Sequence, residues 1–378
     1  MLDKVTASIA AQGLLTALKA PEKIADFDTE QWDLVIRQAR RTRLLSRIAV
    51  KAAEHDLGDK LPPKVADILK GAAYVGAENR RMITWEVICV RKALADCDIP
   101  VILLKGAAYV AAALPPAVGR LAGDIDIMVP EPRLAEVEEA LVAHGWRPIK
   151  FSDYDQRYYR KWMHELPPLR HEERRTVIDV HHTILPLTSR LGPDPQKLWQ
   201  QSLDIPGTGM KMLGAQDMVL HSAAHLFQDG DLAFAIRDLV DLVDLFNHFG
   251  ANSGFWETLA ARAAEHELQR PLYYALRYGK ELLDLTVPDT VERSIDSAAP
   301  VNLVARLMDR IIPRVLLPDH PDSPSGIRAH AASLLYLRSH WLRMPPWLLA
   351  AHLIRKTVLQ SAGAVARWHE ARQKAKDS

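Results

Sequence analysis

Residues Ile99 to Val129 carry two short apolar runs unlike their surroundings, and these constrain the fold more than anything else in the chain. Ile99-Pro100-Val101-Ile102-Leu103-Leu104 is short, β-branched and ended by Lys105-Gly106, as a buried strand would be. Asp124-Ile125-Asp126-Ile127-Met128-Val129 alternates strictly over its first four residues and stops at Pro130. Between them an alanine-rich stretch, Ala107 to Leu114, predicts a helix that ends at Pro115-Pro116. Two strands joined through a helix require a sheet with helical cover. A purely helical bundle cannot supply that.

The flanks read differently. Asp28-Thr29-Glu30-Gln31-Trp32 opens a helix, and an amphipathic run from about Val65 to Ala95 follows the break at Leu61-Pro62-Pro63. A helix over Pro132 to His144 follows the second strand. Shorter strand-like stretches lie at Trp146–Phe151, Tyr158–Met163 and Thr176–Thr183, and Gly207-Thr208-Gly209 reads as a turn. From Ala215 onward the pattern is helical again, with a loop at Pro318–Ser325 and a frayed tail at Lys374–Ser378. The expected plan is α+β: a helical region over 1–97, a compact α/β core over 98–210 and a helical domain over 211–378. Length agrees, since 378 residues correspond to two or three domains of roughly 150 residues.

Lys+Arg 48 against Asp+Glu 47 leaves a charge of +1, which argues against a nucleic-acid coat or a polybasic membrane protein. No apolar run reaches the roughly 18 residues of a membrane span, and Met1-Leu2-Asp3-Lys4 does not read as a secretory signal. Two cysteines, Cys89 and Cys97, are too few for a disulfide framework. A cytoplasmic protein is expected.

The chemistry concentrates at the two runs. Alternate strand residues share a face, so Asp124 and Asp126 point one way while Ile125 and Ile127 point into the core. Paired carboxylates repel each other and suit a hard divalent cation such as Mg²⁺. Val177, Asp179 and His181 share a face of a later strand, and beside the first it would add a third carboxylate. Three carboxylates can hold two metals for in-line phosphoryl displacement. Each piece also has a plain reading: Asp-x-Asp is common, Lys-Gly is a turn, and Asp179 caps or pairs.

Leu103-Leu104-Lys105-Gly106-Ala107-Ala108, followed by Arg120-Leu121-Ala122-Gly123-Asp124-Ile125-Asp126-Ile127-Met128-Val129, resembles the uncharacterised bacterial nucleotidyltransferase family of the DNA polymerase β-like superfamily. Trp32 with Ala39 and Arg41, Ile178-Asp179-Val180-His181, His221-Ser222-Ala223-Ala224-His225 and Ile236-Arg237-Asp238-Leu239-Val240-Asp241 extend the likeness over about residues 25–250. The resemblance implies a small mixed-sheet nucleotidyltransferase core flanked by helices. It implies Mg²⁺ (or Mn²⁺) and a nucleoside triphosphate on Asp124 and Asp126, with Asp179 as the third acidic position that helps hold the metal and deprotonate the acceptor hydroxyl. Gly106 would admit the triphosphate closely, and Lys105, Arg120, Gly123 and His181 would complete the nucleotide site. The wider superfamily usually has Gly-Ser or Gly-Gly at the turn; here Lys105-Gly106-Ala107 has no hydroxyl beside the glycine, so Lys105 stands in for it. The implied reaction moves a nucleoside monophosphate to a hydroxyl of a small molecule, protein or tRNA and releases pyrophosphate. Two rivals are an inactive nucleotide-binding or protein-interaction module of the same fold and a toxin-like enzyme acting on tRNA.

Three features carry less. His221 and His225 share a helical face, but without an obvious third ligand the packing reading outweighs a metal. Arg37, Arg40, Arg41, Arg43 and Arg47 form a basic stretch that reads first as a solvated helix face and second as an RNA contact. Trp341 to Lys356 is amphipathic and basic-ended, better suited to burial against the helical half than to a membrane surface.

Overall fold

Asp28 sets the first long helix by accepting from the Gln31 N–H at 2.8 Å while the Gln31 side chain accepts from the Asp28 N–H at 2.9 Å, a reciprocal capping box. The computed structural model describes residues 11–149, 162–228, 232, 234–323 and 326–345. The helices α1 (Gln12–Lys19), α2 (Thr29–Arg41), α3 (Leu45–Glu54) and α4 (Pro63–Ala93) form the N-terminal part. Pro63 occupies the first turn of α4, where its missing N–H costs nothing.

The two expected strands are β1 (Ile102–Leu103) and β2 (Asp124–Met128), and the helix between them is α5 (Lys105–Ala111). This helix starts two residues before the alanine-rich run, because Lys105 itself turns the chain with φ +44° while Leu104 stays extended. Next come α6 (Leu134–Ala143), β3 (Trp146–Pro148), β4 (Leu169–His171) and β5 (Val177–His181). After the short helix α7 (Pro195–Gln200), β6 (Leu203–Ile205) and β7 (Met210–Met212) form a hairpin around Gly207-Thr208-Gly209. The C-terminal helices are α8 (Ala215–Gln228), α9 (Ala235–Gly250), α10 (Ser253–Glu265), α11 (Gln269–Leu283), α12 (Asp289–Ile295), α13 (Asn302–Leu316) and α14 (Gly326–Arg343).

The chain is therefore α+β, with a seven-stranded mixed sheet in the order β3-β4-β5-β2-β1-β7-β6. β2 runs antiparallel to β1 and parallel to β5, and this register sets Asp126 directly opposite Asp179. Ile125, Ile127 and Ile178 fill the opposite face and are buried. One buried apolar cluster spans the chain from Ala11 in the N-terminal helices to Leu335 in α14. No helix among the described residues is long and apolar enough to cross a membrane. The strand-like stretch Tyr158–Met163 and the amphipathic run beyond Pro345 lie largely outside the described residues.

Two contacts position the segment before β2. Asn79 of α4 donates to the Ala122 carbonyl and accepts from the Ala122 N–H, both at 2.9 Å. Gly119 adopts φ +67°, and a Cβ there would come within 2.6 Å of the Arg47 backbone. Only a glycine fits that crossing.

Candidate active site

The site forms where the start of β2 meets the first turn of α5 and one face each of α8 and α9. An open cleft with about 510 Å³ of empty space is lined by Lys105, Tyr109, Arg120, Asp124, Asp126, Ser222, His225, Arg237, Asp238 and Asp241. Strand alternation explains why Asp124 and Asp126 both face it, as expected from the sequence.

Asp126 is the most engaged of the three aspartates. Its Oδ1 accepts from Lys105 Nζ at 3.2 Å and lies 3.1 Å from His181 Nε2. Burial pushes the Asp126 carboxyl up, but Lys105 and the His181 hydrogen bond outweigh it and hold the group below the usual carboxylate range. Asp124, at the exposed end of the strand, is pushed up by the Asp126 charge and by burial. Burial, then Asp126 and Glu165, push Asp179 up to about 7. Asp179 lies beside Asp126 across the β2–β5 pair, outside the residues that line the cleft, and its Oδ1 is buried with no hydrogen-bond partner among the described residues. The paired oxygen donors Asp124 and Asp126 suit a hard divalent cation at the cleft, but among the described residues Asp179 does not join them in a three-ligand cluster, so the expected third metal-holding carboxylate is not assembled here.

Lys105 holds its ammonium against Asp126 from a backbone in the left-handed region, a conformation that costs a side-chain-bearing residue roughly 1–2 kcal/mol. Desolvation works against the charge, but Asp126 and Asp124 raise the lysine pKa above its ordinary value. Gly106 has a different surrounding from the one the resemblance implied. The space of its absent side chain is filled by the Arg120 guanidinium, which a Cβ would meet at 2.4 Å. Arg120 is in turn locked, its Nε donating to Asp241 Oδ2 at 2.6 Å with the guanidinium 5.7 Å over the Tyr109 ring. Arg120 thus lines the cleft as a wall fixed from behind. Gly123 lies against Arg43, to whose guanidinium a Cβ would come within 3.5 Å.

The basic stretch of the sequence divides at the end of α2. Arg37 pairs with Asp33 and Asp322, and Arg43 stacks 4.1 Å over Phe234. Arg47 is buried, donating to Asp241 at 2.8 Å and to the Pro116 carbonyl at 2.9 Å. A solvated face therefore describes Arg40 and Arg41 but not Arg47, which is a core strut. His221 is buried, whereas His225, four residues on, reaches the cleft wall.

Several site residues carried no role in the sequence reading. Tyr109 and Ser222 share a hydrogen bond of 2.7 Å across the cleft. Arg237 and Asp238, paired at 2.6 Å, and Asp241 come from α9. Their signal was present in the helical spacing of Arg237 and Asp241, one turn apart. Glu165 and His164 had no signal, since only tertiary pairing brings them to β5.

A family model described as an uncharacterised nucleotidyltransferase matches residues 28–284. The chain belongs to this family. Nucleotidyl transfer, with a nucleotide as substrate, is what membership in the nucleotidyltransferase family supports. The matched span runs from the cap of α2 to the end of α11 and contains every residue of the cleft. Comparison with curated proteins and with solved structures gave no match.

Proposed function

We propose that this nucleotidyltransferase moves a nucleoside monophosphate from a nucleoside triphosphate to a hydroxyl acceptor in the cytoplasm, releasing pyrophosphate, with Mg²⁺ or Mn²⁺ as its metal. We also assign the sheet to the DNA polymerase β-like superfamily. The observation that carries both is the β2–β5 pair: Asp124 and Asp126 open onto the cleft and Asp179 lies in register beside Asp126.

Asp124 and Asp126 would hold the metal, which when bound supplies charge neutralisation at the phosphates. The chain's own groups do the rest. Lys105 presents a point charge at the cleft wall for a phosphate oxygen, and Arg237, whose Nε and Nη2 are held by Asp238, adds a second positive charge there. Arg120, clamped by Asp241, keeps that wall rigid, so little reorganisation accompanies binding. Asp179, beside Asp126 and pushed up to about 7, would take the acceptor hydroxyl's proton at neutral pH, a role that requires the acceptor to reach past the residues that line the cleft. In-line attack at the α-phosphorus forms the new P–O bond as the bond to pyrophosphate breaks.

The test incubates wild type and the Asp124→Ala/Asp126→Ala variant with each α-labelled triphosphate, Mg²⁺ or Mn²⁺, and cell extract. Label appearing on a small molecule, protein or RNA with wild type alone supports the reading and identifies the acceptor class. Label from neither, with triphosphate still bound, would leave an inactive binding module instead. A tRNA acceptor gains no support from the arginine stretch, since Arg37, Arg43 and Arg47 are committed to partners within the chain.

A further inference from the structure

Residues 164–166 run antiparallel along the end of β5. The Leu166 N–H donates to the Val180 carbonyl and the His182 N–H to the His164 carbonyl, both at 2.9 Å, and Glu165 pairs with His181. One ligand atom each from His164, Glu165 and His181 lies within 4.8 Å of the others. His181 Nε2 sits 3.1 Å from Asp126 Oδ1, and a carboxylate only accepts, so Nε2 carries the hydrogen. In the neutral ring, Nδ1 then presents a lone pair, and it faces Glu165 Oε2, a second acceptor, at 3.3 Å. Two acceptors so close call for positive charge. His164 Nδ1 is buried with no hydrogen-bond partner among the described residues. The His181 side chain is 3% exposed, whereas Glu165 keeps 16%, which leaves a way in.

We propose that His164, Glu165 and His181 form a site for a divalent transition-metal ion of the zinc type, separate from the Asp124/Asp126 pair. Two imidazoles and one carboxylate suit zinc and its neighbours, whereas Mg²⁺ prefers oxygen donors throughout. Asp126 stands behind His181 as the carboxylate that fixes the tautomer and aims Nδ1 at the ion. The ion would fasten residues 164–166 to β5 and, through His181, hold Asp126 in position at the cleft. Here Glu165 and His164 are positioning residues.

Direct metal binding to the full chain tests this without any need for turnover, so it fails or succeeds independently of nucleotidyl transfer. Titration with Zn²⁺ should show one tight equivalent, and Co²⁺ at the same site should give visible d–d absorption that Zn²⁺ abolishes and excess Mg²⁺ does not. Glu165→Gln and His164→Gln should each weaken Zn²⁺ binding at least tenfold, and Asp126→Asn by about 10- to 100-fold. Asp124→Asn should leave Zn²⁺ affinity unchanged. Far-UV circular dichroism checks each variant, and the partly exposed Glu165→Gln decides the matter where His164→Gln does not fold. Wild-type affinity in Glu165→Gln, or an equal loss in Asp124→Asn, would overturn the proposal, as would a wild type that binds no Zn²⁺.

Discussion

Asp124 illustrates how a functional residue works against the fold that carries it. The Asp126 charge raises its pKa, so the folded protein holds two carboxylates that each disfavour the other's ionisation. Asp124→Asn removes the repulsion and one oxygen charge of the metal pair together. The expected outcome is a higher thermal midpoint in metal-free buffer with nucleotidyl transfer reduced by at least about a hundredfold. Calorimetry beside a label-transfer assay checks both; a lowered midpoint would show that Asp124 does not strain the apo fold. Gly106 gives the opposite case. A Cβ at this position meets the Arg120 guanidinium at 2.4 Å, and Arg120 cannot swing away without leaving Asp241. Gly106→Ala should therefore cost about 1–3 kcal/mol in urea unfolding, in the range of overpacking. A cost below a few tenths would mean that the guanidinium relocates freely.

Pairs of elements carry the next level, and Asp241 on α9 is their junction. It accepts from Arg47 of α3 and from Arg120 beside β2, tying the N-terminal helices, the sheet and the C-terminal helices at one carboxylate. All three side chains are buried. Asp241→Ala strands the Arg120 guanidinium and leaves Arg47 with Asp244 as its remaining carboxylate, and should destabilise by about 3–5 kcal/mol. The double variant Arg47→Met/Asp241→Asn, measured by the same chemical denaturation, should recover part of that loss; a variant no better than Asp241→Ala would argue against stranded charge as the cause. This level also marks how far the sequence could be read. The β1–α5–β2 unit and β5 were legible, because short apolar runs with turn residues at their ends carry a local signal. So were Asp124, Asp126 and their shared face, which follows from period-two geometry alone. β6 and β7 are three residues each, too short to alternate, and only the glycine turn between them showed. Arg47 read as surface because its charge was counted without the two aspartates of α9, Asp241 and Asp244, that meet it. Glu165 beside His181 depended on a pairing across β5 that no spacing encodes.

Across the whole molecule, the near-zero net charge hides an uneven distribution, with Arg47, Arg120, Asp126 and Asp241 buried and Lys105 half-buried around the cleft. His221 of α8 is buried in the same region, and its pKa lies well below the ordinary histidine value. Desolvation is the first cause, followed by the positive charge of Lys105 and by His225 and His181, with Asp126 opposing. In the unfolded chain the ring titrates near its ordinary value, about 6.5. Below that pH the unfolded state binds a proton that the folded state refuses, so stability is fully present above about 6.5 and is lost as pH falls toward the folded pKa. The loss from this one group reaches about 1.4 kcal/mol for each pH unit in that window. His221→Gln keeps a neutral polar side chain and removes the titration. Urea unfolding at pH 7.5 and at pH 5.5 should show a drop for wild type and a smaller drop for the variant. Equal drops would place the acid sensitivity elsewhere in the fold.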